Sequence, residues 1–539
     1  MTEHETHVPV ADSPRIPDLA ADLQAAAWNA DRVEQLLGPV AMSALSREEY
    51  VPAARILEGT VEAAGILTRF FMLGVPETTW RLDQAMPTLG CQGLRALGLI
   101  AEAGPDLWRA AFDLRPHQGS YGPRGAASTQ RAEAHHEIAT HQSVVSTHGT
   151  ATHHWWILSD LPQAVTRNAL PPHHVMGIGG ATTSLLAMTP RHTVQRALDV
   201  GCGCGIQALY LATHADHVVA TDISARACQI TRFNAALNGV SIDVRQGSLY
   251  EPVAGEIFDL IVSNPPFVIT PPALRETGLL EYRDAGMERD SLVGAVIVGA
   301  QHHLREGGTV HVLANWEIDA DADPECDDST TGWPRRLHQW CHQMSLDVWA
   351  VQRDVLDPTQ YAELWLRDGG SSHDEYDRAY RAWMDDFAGA GIQGVGMGFI
   401  AARRVADPVT PIRVYDFVQA GRIPSGVDVL QALDSLRLPA HLEQLHLVTC
   451  DDVTEERHYI PGNANPSVVI LHQGGGMGRA IQVSSAVSAL VGACDGELSV
   501  GQILVALAAL MDEEVEQLRY EVLPVLERLL RAGMLKVAR

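Results

Sequence analysis

The spacing of apolar side chains changes character several times along the chain. From residue 20 to 118 it is mainly helical: ILEGTVEAAGILTRFFMLG, ETTWRLDQAM and CQGLRALGLIAEAG repeat apolar positions every three or four residues, and WRAAFDLRPH then alternates as a strand does. Helices followed by a strand predict a winged-helix-like module over residues 1–118. Such a module often binds nucleic acid, but its third helix offers Arg95 as its only cation, so packing or a protein contact stands equally beside that role. Residues 119–150 are small and polar with no apolar period, and read as a flexible linker. From Trp155 onward the runs WWILSDL, RALDVG, HVVATDI, IDVRQG, FDLIVSN and TVHVLANW are short and apolar, most of them separated by helical segments. Such runs belong to a mostly parallel sheet with helices on both faces. LDVWAVQRDV and GVGMGFIAARRV are expected to complete it. The expected fold class is α/β, a Rossmann-like sheet over 151–406, with a surface insertion of acidic material near 317–390. Three helical stretches and a last strand predict a second winged-helix-like module over 407–539.

Composition narrows the partners. The 539 residues hold 39 Lys+Arg against 66 Asp+Glu, a net charge of −27, and Lys536 is the single lysine. A nonspecific polyanion binder needs a basic face, which this balance does not favour. Residues 317–390 alone carry 17 acids against 6 bases, so an RNA is expected to approach elsewhere. Eight scattered cysteines form no disulfide framework and read as free thiols in a reducing compartment. The first residues lack a positive region followed by an apolar run, and no apolar stretch reaches the roughly 20 residues that cross a bilayer, so a soluble, cytoplasmic protein with no membrane partner is expected. Nine of the 24 histidines fall between residues 117 and 174, without acidic or thiol partners on rigid elements, so no metal is expected. The acidic cluster Asp512, Glu513, Glu514 and Glu516 reads as a helix start.

The chemistry concentrates at strand ends. In ALDVGCGCGIQALYLATHADHVVATDIS a buried strand ends at Asp199, and Gly201, Gly203 and Gly205 let the backbone turn tightly beside a ligand before the next helix. The following strand ends at Asp222, where a carboxylate can accept both hydroxyls of a ribose. An acidic residue entering the turn suits a cofactor with a free amino group and a sulfonium, S-adenosylmethionine, and would repel a pyrophosphate. Gly247 and Ser248 follow the third strand, where an adenine ring would be met. The fourth strand, FDLIVS, runs into Asn264, Pro265, Pro266 and Phe267. Two prolines remove two amide donors, so the turn offers acceptors, and an amino group donating to them is held with its lone pair toward the cofactor methyl while Phe267 stacks on the plane that carries it. Methyl transfer from a sulfonium is a direct displacement and needs no Ser-His-Asp nucleophile. A glycine-bearing segment at 173–187 is read either as a lid or as a tight loop against the sheet edge. A long loop with Tyr282, Arg283, Asp284 and Arg289 is read as shaping substrate choice, with a surface Arg–Asp pair as the alternative.

These residues resemble the class I S-adenosylmethionine-dependent methyltransferases of the NPPY/F type over about residues 170–320, more loosely to 405. The resemblance implies that fold and cofactor, with Asp199, Gly201, Gly203 and Gly205 at the methionine part, Asp222 at the ribose, Gly247 and Ser248 at the adenine, and Asn264 to Phe267 at the target nitrogen. Ser248 stands where many relatives have aspartate, which puts the adenine contact in doubt. FDLIVSNPPF looks like the ribosomal RNA guanine methyltransferases, and NPPFVITPP resembles the release-factor glutamine methyltransferases. A base amine and a side-chain amide share one planar NH2 geometry. The expected function is N-methylation of a base in structured RNA or a ribosomal particle, with a glutamine of a translation protein as the alternative. An inactive scaffold is the reading from another class, and the complete set of motif residues argues against it.

Overall fold

The computed structural model describes residues 8–120, 152–166, 170–171, 173–278, 287–323, 326, 331–367, 373–406, 408–418, 422–439 and 441–538. At its centre is an eight-stranded sheet made of β1 (Val194–Val200), β2 (Ala215–Asp222), β3 (Asp243–Gln246), β4 (Phe258–Ser263), β5 (Leu304–Asp319), β6 (Leu346–Leu356), β7 (Ile392–Arg404) and β8 (Arg413–Phe417). The strands lie in the order β3-β2-β1-β4-β5-β7-β6-β8. Only β7 runs antiparallel to its neighbours. The helices of this unit include α1 (Gly180–Met188), α2 (Ile206–Leu211), α3 (Ala225–Leu237), α4 (Ser291–Ala300), α5 (Pro358–Arg367), α6 (His373–Ala390) and α7 (Gly426–Ser435), besides shorter ones at Pro272–Gly278 and Arg335–Cys341.

Side chains alternate across the pleat, and both faces are dry. Leu198, Val200, Val219, Ile261, Val310 and Val312 pack on one face with Val293, Val296 and Ile297 of α4. Ala197, Val218, Ala220, Leu260 and Val262 pack on the other with Ala208 of α2 and Val429 and Leu433 of α7. The α/β fold class read from the short apolar runs is the one observed.

Three boundaries differ from expectation. WWILSDL does not enter the central sheet: residues 113–120 and 152–159 form their own antiparallel ribbon, from Asp113 opposite Ser159 to Ser120 opposite Thr152. WRAAFDLRPH is therefore two strands, with Leu107–Ala110 closing a hairpin against Ile100–Gly104 and Asp113 opening the ribbon. The free edge of the ribbon is satisfied by side chains of α3. Asn234 accepts the Leu158 N–H at 2.8 Å and donates to the Leu158 carbonyl at 2.9 Å and to the Cys204 carbonyl at 2.8 Å. One turn on, Asn238 exchanges the same pair of bonds with Trp156, both at 2.9 Å. Two asparagines at i and i+4 thus imitate a neighbouring strand. Apart from Gly119 and Ser120, which end the strand 113–120, the expected linker lies outside the described residues, and it joins two paired strands rather than two units.

Within the acidic stretch near 317–390, LDVWAVQRDV joins the sheet as β6, as expected, but the second acidic segment is not only surface: α5 and α6 bury Tyr361, Trp383 and Phe387 in a core of their own. Three of the acids of this stretch are paired with arginines: Glu317 with Arg289 at 2.5 Å, Asp319 with Arg335 at 2.5 Å and Asp347 with Arg437 at 2.6 Å. The third boundary moves because β8 and α7 belong to the sheet unit, held by Asp347, which also accepts the Ile412 N–H at 2.8 Å.

The flanking modules share one order of elements. The N-terminal one has a helix at Ala63–Leu67, a two-residue strand at Glu77–Thr78, helices at Thr79–Ala85 and Gly90–Ala96, and the hairpin. The C-terminal one has a helix at Ser485–Gly492, a strand at Asp495–Ser499, helices at Val500–Met511 and Val515–Arg531, and a strand at Leu535–Val537, beside a separate three-stranded meander. Asp512 caps one C-terminal helix in the left-handed conformation and Glu516 opens the next. The eight cysteines are all free, and no described helix is long and apolar enough to cross a membrane.

Asn234 is fully buried and carries three hydrogen bonds, so Asn234→Ala is expected to cost roughly 3 kcal/mol, against roughly 1 kcal/mol for the half-buried Asn238→Ala. Urea unfolding of both variants checks these losses; a loss under about 0.5 kcal/mol in Asn234→Ala would refute its strand-imitating role.

Candidate functional site

β1 is flanked by β2 on one side and β4 on the other, so the chain crosses the sheet in opposite directions from it, the topology that sets a ligand crevice above the carboxyl ends of the strands at that point, here β1 and β4. The turn leaving β1 has Gly201 at φ 76°, Gly203 at φ 54° and Gly205 at φ 80°, all in the left-handed region. The three glycines act differently. A Cβ on Gly205 would meet Thr231 Cγ2 at 2.7 Å, so that position serves close packing on α3, whereas a Cβ on Gly201 or Gly203 would meet nothing within 4 Å. Those two positions form an open cradle of bare backbone at the crevice.

Asp222, ending β2, gathers three turns. Its carboxylate accepts the Gly203 N–H at 2.9 Å and the Ser224 N–H at 2.9 Å, while its backbone carbonyl accepts the Gly247 N–H at 2.9 Å. A carboxylate with two oxygens keeps acceptor capacity beyond these bonds. Gly247, at φ 157°, is held against Pro252, whose Cγ would lie 2.5 Å from a Cβ. Half-buried Ser248 follows, and the carbonyl of Leu249, itself at φ 47°, accepts the Thr221 hydroxyl at 3.0 Å. Ile223 is 59% exposed on the rim directly after Asp222. Nothing in the sequence reading singled it out, although an apolar side chain after an acidic strand end is the available signal.

Asp199 is buried at the base of the turn and accepts the Ala208 N–H of α2 at 3.1 Å. Burial pushes its carboxyl up to about 7; the Ala208 bond opposes this, and the charge of Asp222 adds to it. Cys204 beside it is an inert small residue, its thiol pushed up to about 11 by burial.

Every residue of β4 is buried, and the Ser263 hydroxyl donates to the Val200 carbonyl at 2.7 Å, locking the ends of β4 and β1 together. Asn264 comes next. Its Oδ1 is buried and has no hydrogen-bond donor among the described residues. Phe267 is half-buried and meets Trp365 of α5 at 6.4 Å between centroids, with 66° between the planes. Asp199, the glycine turn, Asp222, Gly247, Ser248 and the Asn264–Phe267 turn therefore all stand at the same end of the sheet.

Arg289 departs from expectation. Its guanidinium donates to Glu317 at 2.6 Å and to Asp386 at 2.8 Å, so it staples its loop to β5 and α6 instead of facing a substrate. Tyr282, Arg283 and Asp284 lie outside the described residues. The 173–187 segment is tied down: the Val175 N–H reaches Asp160 at 2.8 Å, Arg226 of α3 reaches the same carboxylate at 2.9 Å, and Gln207 donates to the Thr182 carbonyl at 3.0 Å. Sequence reasoning missed Tyr361, Trp365 and Trp383, whose signal was an aromatic pair at i and i+4 inside an acidic stretch. Among the described residues no group of three or more His, Cys, Asp or Glu side chains could hold a metal ion.

Residues 176–323 match the methyltransferase small domain family, and residues 25–111 and 431–537 match two domains of unknown function. The chain is similar to ribosomal RNA small subunit methyltransferase C of Klebsiella pneumoniae subsp. pneumoniae, 36% identical over 141 residues that make up 26% of this chain and 36% of that protein. To the enzyme of the same name from Salmonella arizonae it is 34% identical over 161 residues, 30% of this chain and 40% of that protein. The chain thus spans well under half the length of these curated relatives. Among solved structures, the ribosomal protein L11 methylase of Lactobacillus delbrueckii subsp. bulgaricus is 19% identical, with a TM-score of 0.24 over 43% of this chain and 81% of that one. The matched family segment runs from the loop before α1 to just past β5, and it contains Asp199, the glycine turn, Asp222 and Asn264.

A folded-state value of about 7 for Asp199, above the ordinary carboxylate value of about 4, means that the native state holds a proton the unfolded chain has released. Stability is therefore lost as pH rises from about 4 to about 7. Asp199→Asn, neutral throughout, is expected to gain on the parent by roughly 2–4 kcal/mol between pH 4 and pH 8. Urea unfolding at the two pH values checks it, and a variant that loses ground at pH 8 refutes the assignment.

Proposed function

We propose that the protein is an S-adenosylmethionine-dependent N-methyltransferase acting on the planar amino group of a base in structured RNA, with ribosomal RNA as the first candidate. The observation that carries the reading is Asn264 Oδ1, a buried acceptor without a donor among the described residues, beside a half-buried aromatic ring and at the end of the strand next to the open glycine cradle. A buried polar atom left unpaired costs on the order of 1–3 kcal/mol, which a bound NH2 group would recover. The curated relatives, named as ribosomal RNA methyltransferases, support RNA as the target class.

The residues present fit the cofactor. Gly201 and Gly203 leave room for its methionine part against bare backbone, Asp199 lies beneath as a counter-charge for an amino group, Asp222 has acceptor capacity for a ribose, and Ile223 with Gly247 and Ser248 offers an apolar and polar edge for adenine. When bound, this group supplies an electrophilic methyl on a sulfonium. The chain's part is alignment. Asn264 and the carbonyls of the proline turn accept the hydrogens of the target NH2, so its lone pair faces the cradle, and Phe267 packs on the plane carrying it. The turn would thus hold the nitrogen that receives the methyl, and the surplus proton would leave that nitrogen for solvent.

The flanking modules are read as winged-helix-like elements that present the RNA, and the protein as cytoplasmic. The acidic stretch 317–390, which RNA was expected to avoid, supplies Trp365 beside Phe267, so the proposed RNA contact there is with aromatic surface and not with its acids.

Calorimetry should register S-adenosylmethionine binding to the purified protein, with Asn264→Ala leaving the affinity within about twofold and lowering methyl transfer at least about 100-fold. Well-folded protein that binds no cofactor would refute the reading. Because Asp199 must release its proton to act as a counter-charge, affinity should rise roughly fivefold from pH 6 to pH 7, and Asp199→Asn should flatten that rise. Mass spectrometry of ribosomal RNA nucleosides and release-factor peptides from a deletion strain identifies the target: a missing methyl on a base supports the proposal, and one on a glutamine overturns the RNA assignment.

A further inference from the structure

The loop that carries Asn264 and Phe267 is not held by the sheet alone. Two residues beyond Phe267, both polar groups of Ile269 are bound by aromatic side chains from different helices: the Tyr361 hydroxyl of α5 accepts the Ile269 N–H at 3.0 Å, and the Trp383 indole of α6 donates to the Ile269 carbonyl at 2.8 Å. Tyr361 is fully buried, and its oxygen also takes the Asn315 Nδ2 hydrogen at 2.9 Å, which ties the loop to β5. Val268 and Ile269 are 6% and 1% exposed, so the loop is packed as firmly as core. One helical turn after Tyr361, Trp365 lies on the same face of α5, its ring 6.1 Å from that of Tyr361 and 6.4 Å from that of Phe267. Trp365 and Phe267 are both only half-buried and meet at 66°, so two aromatic planes form a corner with open surface.

We propose that α5 and α6 form the far wall of the acceptor site, in which Trp365 touches the ring bearing the target nitrogen and Tyr361 is a positioning residue for the Asn264–Phe267 loop. The proposal rests on the function proposed above and deepens it by naming the target class. A glutamine side chain offers one small amide plane, which Phe267 alone would cover. A base turned out of its stack offers a wide aromatic plane whose face stacks on one ring while its edge meets the other. These helices lie beyond the segment that matches the methyltransferase small domain family.

The test uses the full-length protein, labelled S-adenosylmethionine, and two acceptors from a strain lacking the gene: deproteinised ribosomal RNA and intact small ribosomal subunits. Tyr361→Phe keeps the ring and removes the oxygen that holds Ile269. It is expected to lower kcat about tenfold, to leave cofactor affinity and RNA KM within about twofold, and to speed amide hydrogen exchange of residues 264–270 at least about tenfold. Trp383→Phe, which removes the donor to Ile269 and part of the ring, should do the same and covers the case in which the first variant fails to fold. Trp365→Leu should raise RNA KM about tenfold without changing exchange, and Trp365→Phe should restore most of it. Variants that melt earlier but keep kcat and exchange unchanged overturn the positioning role, and an unchanged KM in Trp365→Leu overturns the contact. If the parent methylates neither RNA, the proposed function fails, and the exchange measurement alone decides the clamp: faster exchange supports it and unchanged exchange overturns it.

Discussion

The site depends on one residue, Asp222, being shared among three turns. Asp222 binds the Gly203 amide, the Ser224 amide and, through its own carbonyl, the Gly247 amide. The glycine turn after β1, the start of α3 and the turn after β3 are therefore registered to a single residue, and none can shift without breaking a bond to it. Left-handed glycines alone would make the first turn possible but not unique. The hydrogen bond from Gly203 selects one conformation of it, and the Cβ of Asp222 sits at a strand end whose position the sheet fixes to a fraction of an ångström.

A second constraint comes from the scarcity of lysine. In an acidic chain whose cations are almost all arginines, the guanidinium fork is used as a staple. Arg289 joins the loop after the acceptor turn to β5 and α6, Arg437 joins α7 to β6, and Arg226 joins α3 to the loop ahead of α1. Glu317, Asp347 and Asp160 are buried while their arginines are less so, so desolvation falls mainly on these carboxylates and each arginine makes two or three hydrogen bonds in return. The stretch that looked like solvated acid is thereby drawn into the architecture of the acceptor side. The same economy bears on the proposed RNA substrate, because arginines spent on staples are not offered to phosphates.

The two ends of the crevice differ in how they were legible. The cofactor side is written in residues next to each other in the chain, because a strand, a tight turn and a helix N-terminus place Asp199, Gly201 and Gly203 within one local motif, and Asp222 follows at the next strand end. The acceptor side is partly written: Asn264 to Phe267 announce themselves, since two prolines after an asparagine at a buried strand end have few other uses. Arg289 was misread because its positive φ and its two acidic partners, 28 and 97 residues away, are invisible in a local window. WWILSDL was misread for a related reason. Its period fits a sheet strand, and only Asn234 and Asn238, offered from a helix some 80 residues on, show that an edge could be satisfied elsewhere.

By itself the sequence determined the α/β class, the succession of sheet strands through β5 apart from WWILSDL, the glycine turn and the Asn264–Phe267 turn at a strand end, because each rests on hydrogen-bond and dihedral requirements spanning few residues. Tertiary structure alone decided that Asp199 is buried deeply enough to hold a proton near neutrality, that Asn264 keeps a buried acceptor open, and that Trp365 stands against Phe267. Burial, the absence of a donor and ring-to-ring contact are properties of what surrounds an atom, and in this fold the surroundings of the acceptor turn arrive from helices about 100 residues further along the chain.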